Sequence, residues 1–396
     1  MKEKIWPNFS KNLISKVTNI INSGKINYTT GPYGITFEHE FSKYLKNKYS
    51  IAICNGTAAL EVAIKSLNLP KKSEIIVPAR SFFSSASCVV NTGFKPIFAD
   101  VDLSTQNISL NDIKKKINKN TKAIICVHLA GLPCDIYAIK KFAKKKNIKI
   151  IEDCSQAHGA SIQNKQLGSF GDVSTWSFCN DKIISTLGEG GMISTNKKKI
   201  YEFCKRYINH GTKPKNIKNL DKFIYNKDYF GTNLRITEIQ SYAGLHQLKN
   251  LKKIQKKREK MAKDYFDLIS KYQKYFDCYY PSKQIKSAWY RFYFFVKTDI
   301  NDYKNIRFKI IRNLKAKNLR CFTGSCPEIY LEKSFKNLKN FKKLRLKNCK
   351  TLGETSIALD VNHTLQLSQH KKNLSKLKIV IKKIAKNFNW KPSIKI

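Results

Sequence analysis

The chain of 396 residues is long enough for one enzyme-sized unit of two lobes. With 42% hydrophobic and 12% aromatic residues it can bury a sizeable core, which excludes a disordered chain, and its 17 Gly and 10 Pro exclude collagen-like and low-complexity classes. Its 75 Lys+Arg against 28 Asp+Glu, a formal net charge of +47, raise three readings: a nucleic-acid binder, an enzyme drawing in anionic substrates, or a lysine-rich codon usage.

Short apolar runs and helical patterns alternate through the first half. A predicted strand at 51–54 precedes a helix over 58–67. A strand at 74–77 precedes a helix over 84–90. Further strands follow at 96–99 and 123–127, then a helix over 136–146 and strands at 148–152, 173–178 and 191–194. Such alternation predicts a mainly parallel sheet covered on both faces, with its ligand crevice at the carboxyl ends of the strands. A long helix starts near Thr237, its predicted N-cap, and Glu238 favours its first turn. Its length suggests a connector between lobes. Residues 275–396 mix a strand at 291–297 with an amphipathic helix over 373–386 and read as a smaller α/β lobe.

Only nine of the 75 basic residues are Arg, and Lys comes in runs such as 114–116, 144–146 and 197–199. Phosphate readers tend to use Arg, whose planar fork bonds oxygens in pairs. The charge therefore reads as composition, with electrostatic steering as a side benefit, and no specific nucleic-acid partner is expected. Eleven cysteines occur without CxxC pairs. Those at 54, 126, 154 and 179 lie in apolar runs, where free thiols pack as small hydrophobes. This predicts a reducing cytoplasm and no metal site. No stretch approaches the ~18 apolar residues of a membrane span, and the N-terminus lacks an apolar leader core, so no membrane partner is expected.

Three places could carry chemistry. Asn55-Gly56-Thr57-Ala58 leaves a strand and opens a helix. Its exposed N–H groups suit an anion, although simple capping explains the same pattern. Glu152 and Asp153 end a strand and point to opposite faces. One can face the crevice and pair with a protonated heterocycle, or Asp153 can cap the following turn. Lys182 lies beyond the next strand, ahead of the glycine-rich turn at 188–191. A desolvated lysine there is a nucleophile for imine formation, and a solvated lysine is the plain alternative. Together a phosphate cradle, a carboxylate for a pyridine nitrogen and a Schiff-base lysine are the three handles of pyridoxal phosphate.

The ordered motifs NGTAALE, VPARSFFSSAS, FADVD, IEDCSQAHGA, GSFGDVSTWSF, Lys182, GEGG and GTNLRITEIQ closely resemble the DegT/DnrJ-type nucleotide-sugar aminotransferases, across roughly residues 15–260. The resemblance implies an α/β fold of type I: a large lobe with a mainly parallel seven-stranded sheet flanked by helices, and a smaller C-terminal α/β lobe. The boundary falls near 245, with a cofactor-binding domain and N-terminal arm over 1–245 and the connecting helix and small domain over 246–396. It assigns Lys182 to the aldimine lysine and Asp153 to the carboxylate that keeps the pyridine nitrogen protonated. Gln156 falls near the cofactor's phenolic oxygen, and Phe82 stacks on its ring. Thr57, the Thr57/Ala58 backbone and Ser177 hold its phosphate. Asn233 reaches that phosphate from the neighbouring subunit, so the site is shared in a homodimer.

The implied reaction is transamination of a nucleotide-linked keto-sugar, most often a 4-keto-6-deoxy sugar, with L-glutamate as donor, for surface glycan biosynthesis. Some relatives carry His at the lysine position and are sugar dehydratases; Lys182 disfavours that alternative. A non-catalytic nucleic-acid binder on the same fold is the other. Arg80 departs from the family pattern and either meets a substrate anion or packs. Tyr207, His210, Tyr290, Arg291, the loop 321–326 and His363 are candidate substrate-side positions.

Overall fold

A computed structural model describes residues 6–212, 225–227, 229–338, 341 and 344–388. In chain order its strands are β1 (Tyr49–Ile53), β2 (Glu74–Pro78), β3 (Lys95–Ala99), β4 (Thr121–Val127), β5 (Lys149–Asp153), the short β6 (Ser161–Ile162) and β7 (Lys165–Gln166), β8 (Val173–Ser177), β9 (Gly191–Thr195), β10 (Phe276–Cys278), β11 (Ile285–Lys286), β12 (Arg291–Val296), β13 (Cys321–Phe322) and β14 (Ser356–Asp360).

Seven of these strands form one sheet in the order β1-β9-β8-β5-β4-β2-β3. β9 runs antiparallel to both its neighbours, and every other adjacent pair is parallel. The expected mainly parallel α/β sheet is therefore present. Side chains alternate across it. Ile75, Val77, Ile125 and Ile151 join one buried cluster, while Ile76, Ile124, Cys126 and Ile150 join the other. Both faces are covered, which is why these strands read as near-continuous apolar runs.

Helices Gly56–Ser66, Ser84–Asn91 and Ile136–Lys145 follow the predicted spans to within two residues. Side chains cap two of them: Asn55 Oδ1 accepts the Ala58 N–H at 2.8 Å, and Asp135 Oδ1 accepts the Ala138 N–H at 3.3 Å. Helices Lys11–Asn22 and Tyr33–Leu45 precede the sheet and were not expected from the residue pattern.

The helix Glu238–Ile269 begins at the predicted cap, with Thr237 and Gln240 forming a capping box. It belongs to two cores. Leu245, Leu251 and Ile254 pack beneath the seven-stranded sheet, whereas Met261, Ala262, Tyr265 and Ile269 pack against a second sheet. That sheet is antiparallel, in the order β10-β12-β14-β13. Helix Leu367–Asn387 covers it, with Leu377, Val380, Ile381 and Ile384 buried. Among the described residues no helix is long and apolar enough to cross a membrane. All eleven cysteines are unpaired.

Candidate active site

The parallel strands β1, β2, β4, β5 and β8 all point their carboxyl ends at one cavity of about 780 Å³. Its wall includes Asn55, Gly56, Thr57, Ala58, Phe82, Asp153, Gln156, Ser177 and Lys182, so the three sequence motifs converge on one space. Tyr290, Arg291 and Tyr293 from β12 and its approach, with Phe322, Gly324, Ser325 and Cys326, close the opposite side.

Strand alternation separates the two acids. Asp153 shares a face with Ile151 and meets the cavity. Its Oδ2 accepts from the Ser85 hydroxyl at 3.2 Å and its Oδ1 from the Ser155 N–H at 3.1 Å. Ser81 backs Ser85 at 2.9 Å. Glu152 faces the other way and is fully buried. It accepts from the N–H groups of Gly168, Phe170 and Gly171 at 3.0, 2.7 and 2.7 Å, and its Oε2 meets His128 Nε2 at 3.2 Å. Of the two, Asp153 is the carboxylate of the crevice.

At the start of helix Gly56–Ser66 the Ala58 N–H is taken up by the Asn55 cap. Among the described residues neither the Gly56 nor the Thr57 N–H has a protein acceptor, and both residues line the cavity. Gly56 is required by close approach: a Cβ there would lie 2.5 Å from Ser177 Cβ. Helix start and Ser177 hydroxyl are thereby brought to one spot. Gln156 is held by its Oε1, which accepts the Ala130 N–H at 2.7 Å. Phe82 stands 65% exposed over the opening.

Lys182 occupies the turn after β8. Its carbonyl accepts from Trp6 Nε1 at 2.7 Å. Its side chain is only 14% exposed, with Nζ 3.4 Å from Asp181 Oδ1 and 5.0 Å from the centre of the Tyr290 ring. Burial works against the ammonium, yet Tyr290 and Asp181 outweigh it and hold the Lys182 pKa above the ordinary lysine value. Burial would also raise Asp181, but Lys182, the Cys179 thiol, the Tyr290 hydroxyl and Arg291 bring it down to about 2. The free lysine is thus an ammonium paired with a carboxylate rather than the deprotonated amine that desolvation alone predicts.

Of the other sequence candidates, Tyr290, Arg291 and the loop 321–326 line the cavity; Tyr207, His210 and His363 do not. His363 instead takes Arg258 Nη1 at 3.1 Å and packs on Trp6. Arg80 takes the packing alternative. It is 1% exposed, and its Nε and Nη2 donate to Gln106 Oε1 at 3.1 and 3.0 Å, its Nη2 also to Ser356 Oγ at 3.2 Å. Asn233 is exposed and absent from its own chain's cavity wall.

Residues 7–378 match the family model of the DegT/DnrJ/EryC1/StrS aminotransferases. The chain belongs to this family. It is an enzyme of the pyridoxal-phosphate-dependent sugar aminotransferase family. This member is 40% identical over 230 residues to the GDP-perosamine synthase of Escherichia coli O157:H7, a match covering 58% of this chain and 61% of that one. It is 35% identical over 259 residues to the GDP-perosamine synthase of Vibrio cholerae, covering 65% and 68%. An aminotransferase of Psychrobacter cryohalolentis superposes with a TM-score of 0.93 at 37% identity, over 97% of this chain and 100% of that one.

The residues of this DegT/DnrJ member fit the family's cofactor. Two uncommitted N–H groups and two hydroxyls, of Thr57 and Ser177, offer donors to a phosphate. Asp153 keeps lone pairs beyond its two bonds for a ring N–H. Residue patterns alone miss Asp181, Ser85 and Ser81. A Ser just before or two residues after the Phe82-Phe83 pair carries no signal of its own.

Proposed function

We propose that the protein transfers an amino group from L-glutamate to a nucleotide-linked keto-sugar of the 4-keto-6-deoxy class, giving an amino sugar for surface glycan synthesis. The observation that carries this is the convergence of Lys182, Asp153 and the Gly56–Ser177 cradle on one cavity.

When bound, pyridoxal phosphate supplies an electron-withdrawing ring that delocalises the charge left when the donor's α-carbon loses its proton. Each residue then has a task. Thr57, Ser177 and the N–H groups at the helix start hold the phosphate, with Ala58 completing the turn and Asn233 coming from a second copy in a homodimer. Asp153, fixed by Ser85 and Ser155, keeps the ring nitrogen protonated. Phe82 would cover one face of the bound ring, and Gln156 would lie near its phenolic oxygen; both line the cavity. Lys182 Nζ is the amine that would hold the cofactor and, when free, would take the proton from the donor's α-carbon and give it back. Tyr290 and Arg291 bound the side open to the sugar nucleotide.

On the same reading residues 1–245 form the cofactor-binding domain and 246–396 the smaller domain. The helix Glu238–Ile269 supports a connecting role, since it passes from one core to the other, with the change between Ile254 and Met261. Eleven unpaired cysteines support a cytoplasmic setting.

Borohydride reduction of protein loaded with pyridoxal phosphate should label the peptide containing Lys182. Lys182→Ala should lose at least about 10²-fold in turnover. A panel of nucleotide keto-sugars with glutamate, read by product mass, should gain an amine in one member. An unlabelled Lys182 removes the proposal.

A further inference from the structure

Lys182 has a close neighbour that the cofactor chemistry above leaves without a task. Asp181 Oδ1 stands 3.4 Å from Lys182 Nζ and accepts the Cys179 thiol at 2.9 Å. Its Oδ2 accepts the Tyr290 hydroxyl. Asp181 is half exposed, so nothing about burial alone would keep it aimed at the lysine.

The fold holds Tyr290 firmly for this contact. Its N–H donates to the Ala130 carbonyl at 2.8 Å. The preceding Trp289 sits at φ 51°, a backbone region that disfavours a bulky side chain. Arg258, 3% exposed, clamps that turn: its Nη2 donates to the carbonyls of Trp289 and Tyr290 at 2.8 and 3.0 Å. Strained turns persist where surroundings over-determine them, and they gather at working sites.

The charged and titratable groups around the amine come from several elements. Its own turn gives Cys179 and Asp181, and the approach to β12 gives Tyr290 and Arg291. The loop after β5 gives His158, the long helix Arg258, β5 Asp153 and the glycine turn Glu189. Burial with Lys182 and Arg258 nearby takes His158 down to about 3, so it stays neutral. Among the described residues only Asp181 brings a carboxylate oxygen within 4 Å of Nζ.

We propose that Asp181 is a further catalytic residue, the counter-ion that keeps the transferred proton on Lys182 Nζ, and that Tyr290 is the positioning residue that aims it. The inference rests on the reading of Lys182 as the proton carrier. In the step, Nζ takes the proton from the donor carbon, the electron pair stays with the substrate, and the new ammonium is balanced by the Asp181 carboxylate. The proton then returns from Nζ, leaving the amine neutral beside the carboxylate.

The test uses cofactor-free protein and acetic anhydride, with labelling of Lys182 followed by mass spectrometry across pH. Asp181→Asn removes the charge that favours the ammonium and leaves burial opposing it. The half-labelling pH should fall by at least about one unit, a tenfold change in free amine at fixed pH. Asp181→Glu should recover part of the shift. Tyr290→Phe keeps the ring but releases the carboxylate, and should move the curve the same way by less. In the loaded enzyme Asp181→Asn should also lower the alkaline limb of the pH–rate profile. An unmoved curve in Asp181→Asn, or in Tyr290→Phe should Asp181→Asn fail to fold, overturns the inference. Borohydride trapping separates the two ideas: Lys182 trapped with an unmoved curve sinks only the counter-ion, whereas Lys182 untrapped sinks the transaminase reading.

Discussion

Glu152 and Asp153 are sequence neighbours with opposite duties, and stability and activity should separate between them. Glu152→Ala strips three backbone donors and His128 of a buried partner. It should cost about 3 kcal/mol or more in urea unfolding. Asp153→Asn keeps Oδ1 as acceptor for the Ser155 N–H and reverses the other contact, its amide donating to the Ser85 hydroxyl, which can turn toward Ser81. It should cost less than about 1 kcal/mol yet lose about 10²-fold in amino transfer. Burial alone would raise Glu152, but His128 and the backbone donors hold it below the ordinary carboxyl value. A carboxyl depressed in the folded state adds stability above its unfolded value of ~4.3, and that gain is lost as pH falls through the folded value. Wild-type protein should therefore lose more stability than Glu152→Ala between pH 5 and pH 3. Equal losses would mean that Glu152 is not the group responsible. Asp153 and Lys182 are legible in sequence because each follows a strand whose end opens on the crevice. Asp181 is not, since aspartate in a turn has ample backbone reasons. Only the fold brings Tyr290, 109 positions later, onto its carboxylate.

At the scale of elements, short apolar runs and side-chain caps mark most boundaries to within two residues, because both signals are local. Helix Tyr33–Leu45 shows what locality hides. Pro32 precedes it and supplies no side-chain cap. Glu238, from the start of another helix, accepts the Tyr33 and Gly34 N–H groups at 2.6 and 2.8 Å. Read in sequence, Glu238 serves the dipole of its own helix; folded, one carboxylate meets two helix starts. Gly31 and Gly34 lie against this junction, where a side chain would collide with Glu238 or Tyr28. Glu238→Ala should cost about 1–2 kcal/mol and speed amide exchange in peptides of Tyr33–Leu45. The helix Glu238–Ile269 keeps its Thr237 cap and should exchange as before. Unchanged exchange at 33–45 would assign the stability of that helix to its buried Phe37 and Phe41 instead.

For the whole molecule, the two sheets share more than the long helix. Arg80 ties Gln106 beside the large sheet to Ser356 of β14, and its Nη1 lies 3.4 Å from the Ser325 carbonyl in the loop that walls the cavity. Over this frame lies a net charge of +47. Like charges of that number repel across the folded surface, and the same field attracts a nucleotide diphosphate. The screening length shrinks from about 30 Å at 0.01 M salt to about 8 Å at 0.15 M. One cause should then give two effects of opposite sign. Added sodium chloride over this range should raise the unfolding midpoint, because the compact state loses self-repulsion. It should lower kcat/KM for an anionic sugar nucleotide, because the steering field is cut off, while kcat changes little once substrate saturates. Thermal unfolding and initial rates at matched salt concentrations measure both. A midpoint that falls with salt would show that local ion pairs such as Lys205–Glu38 and Arg291–Asp360 outweigh the long-range repulsion. A kcat/KM that holds steady would remove any part for the lysine surface in substrate capture and leave its charge to composition alone.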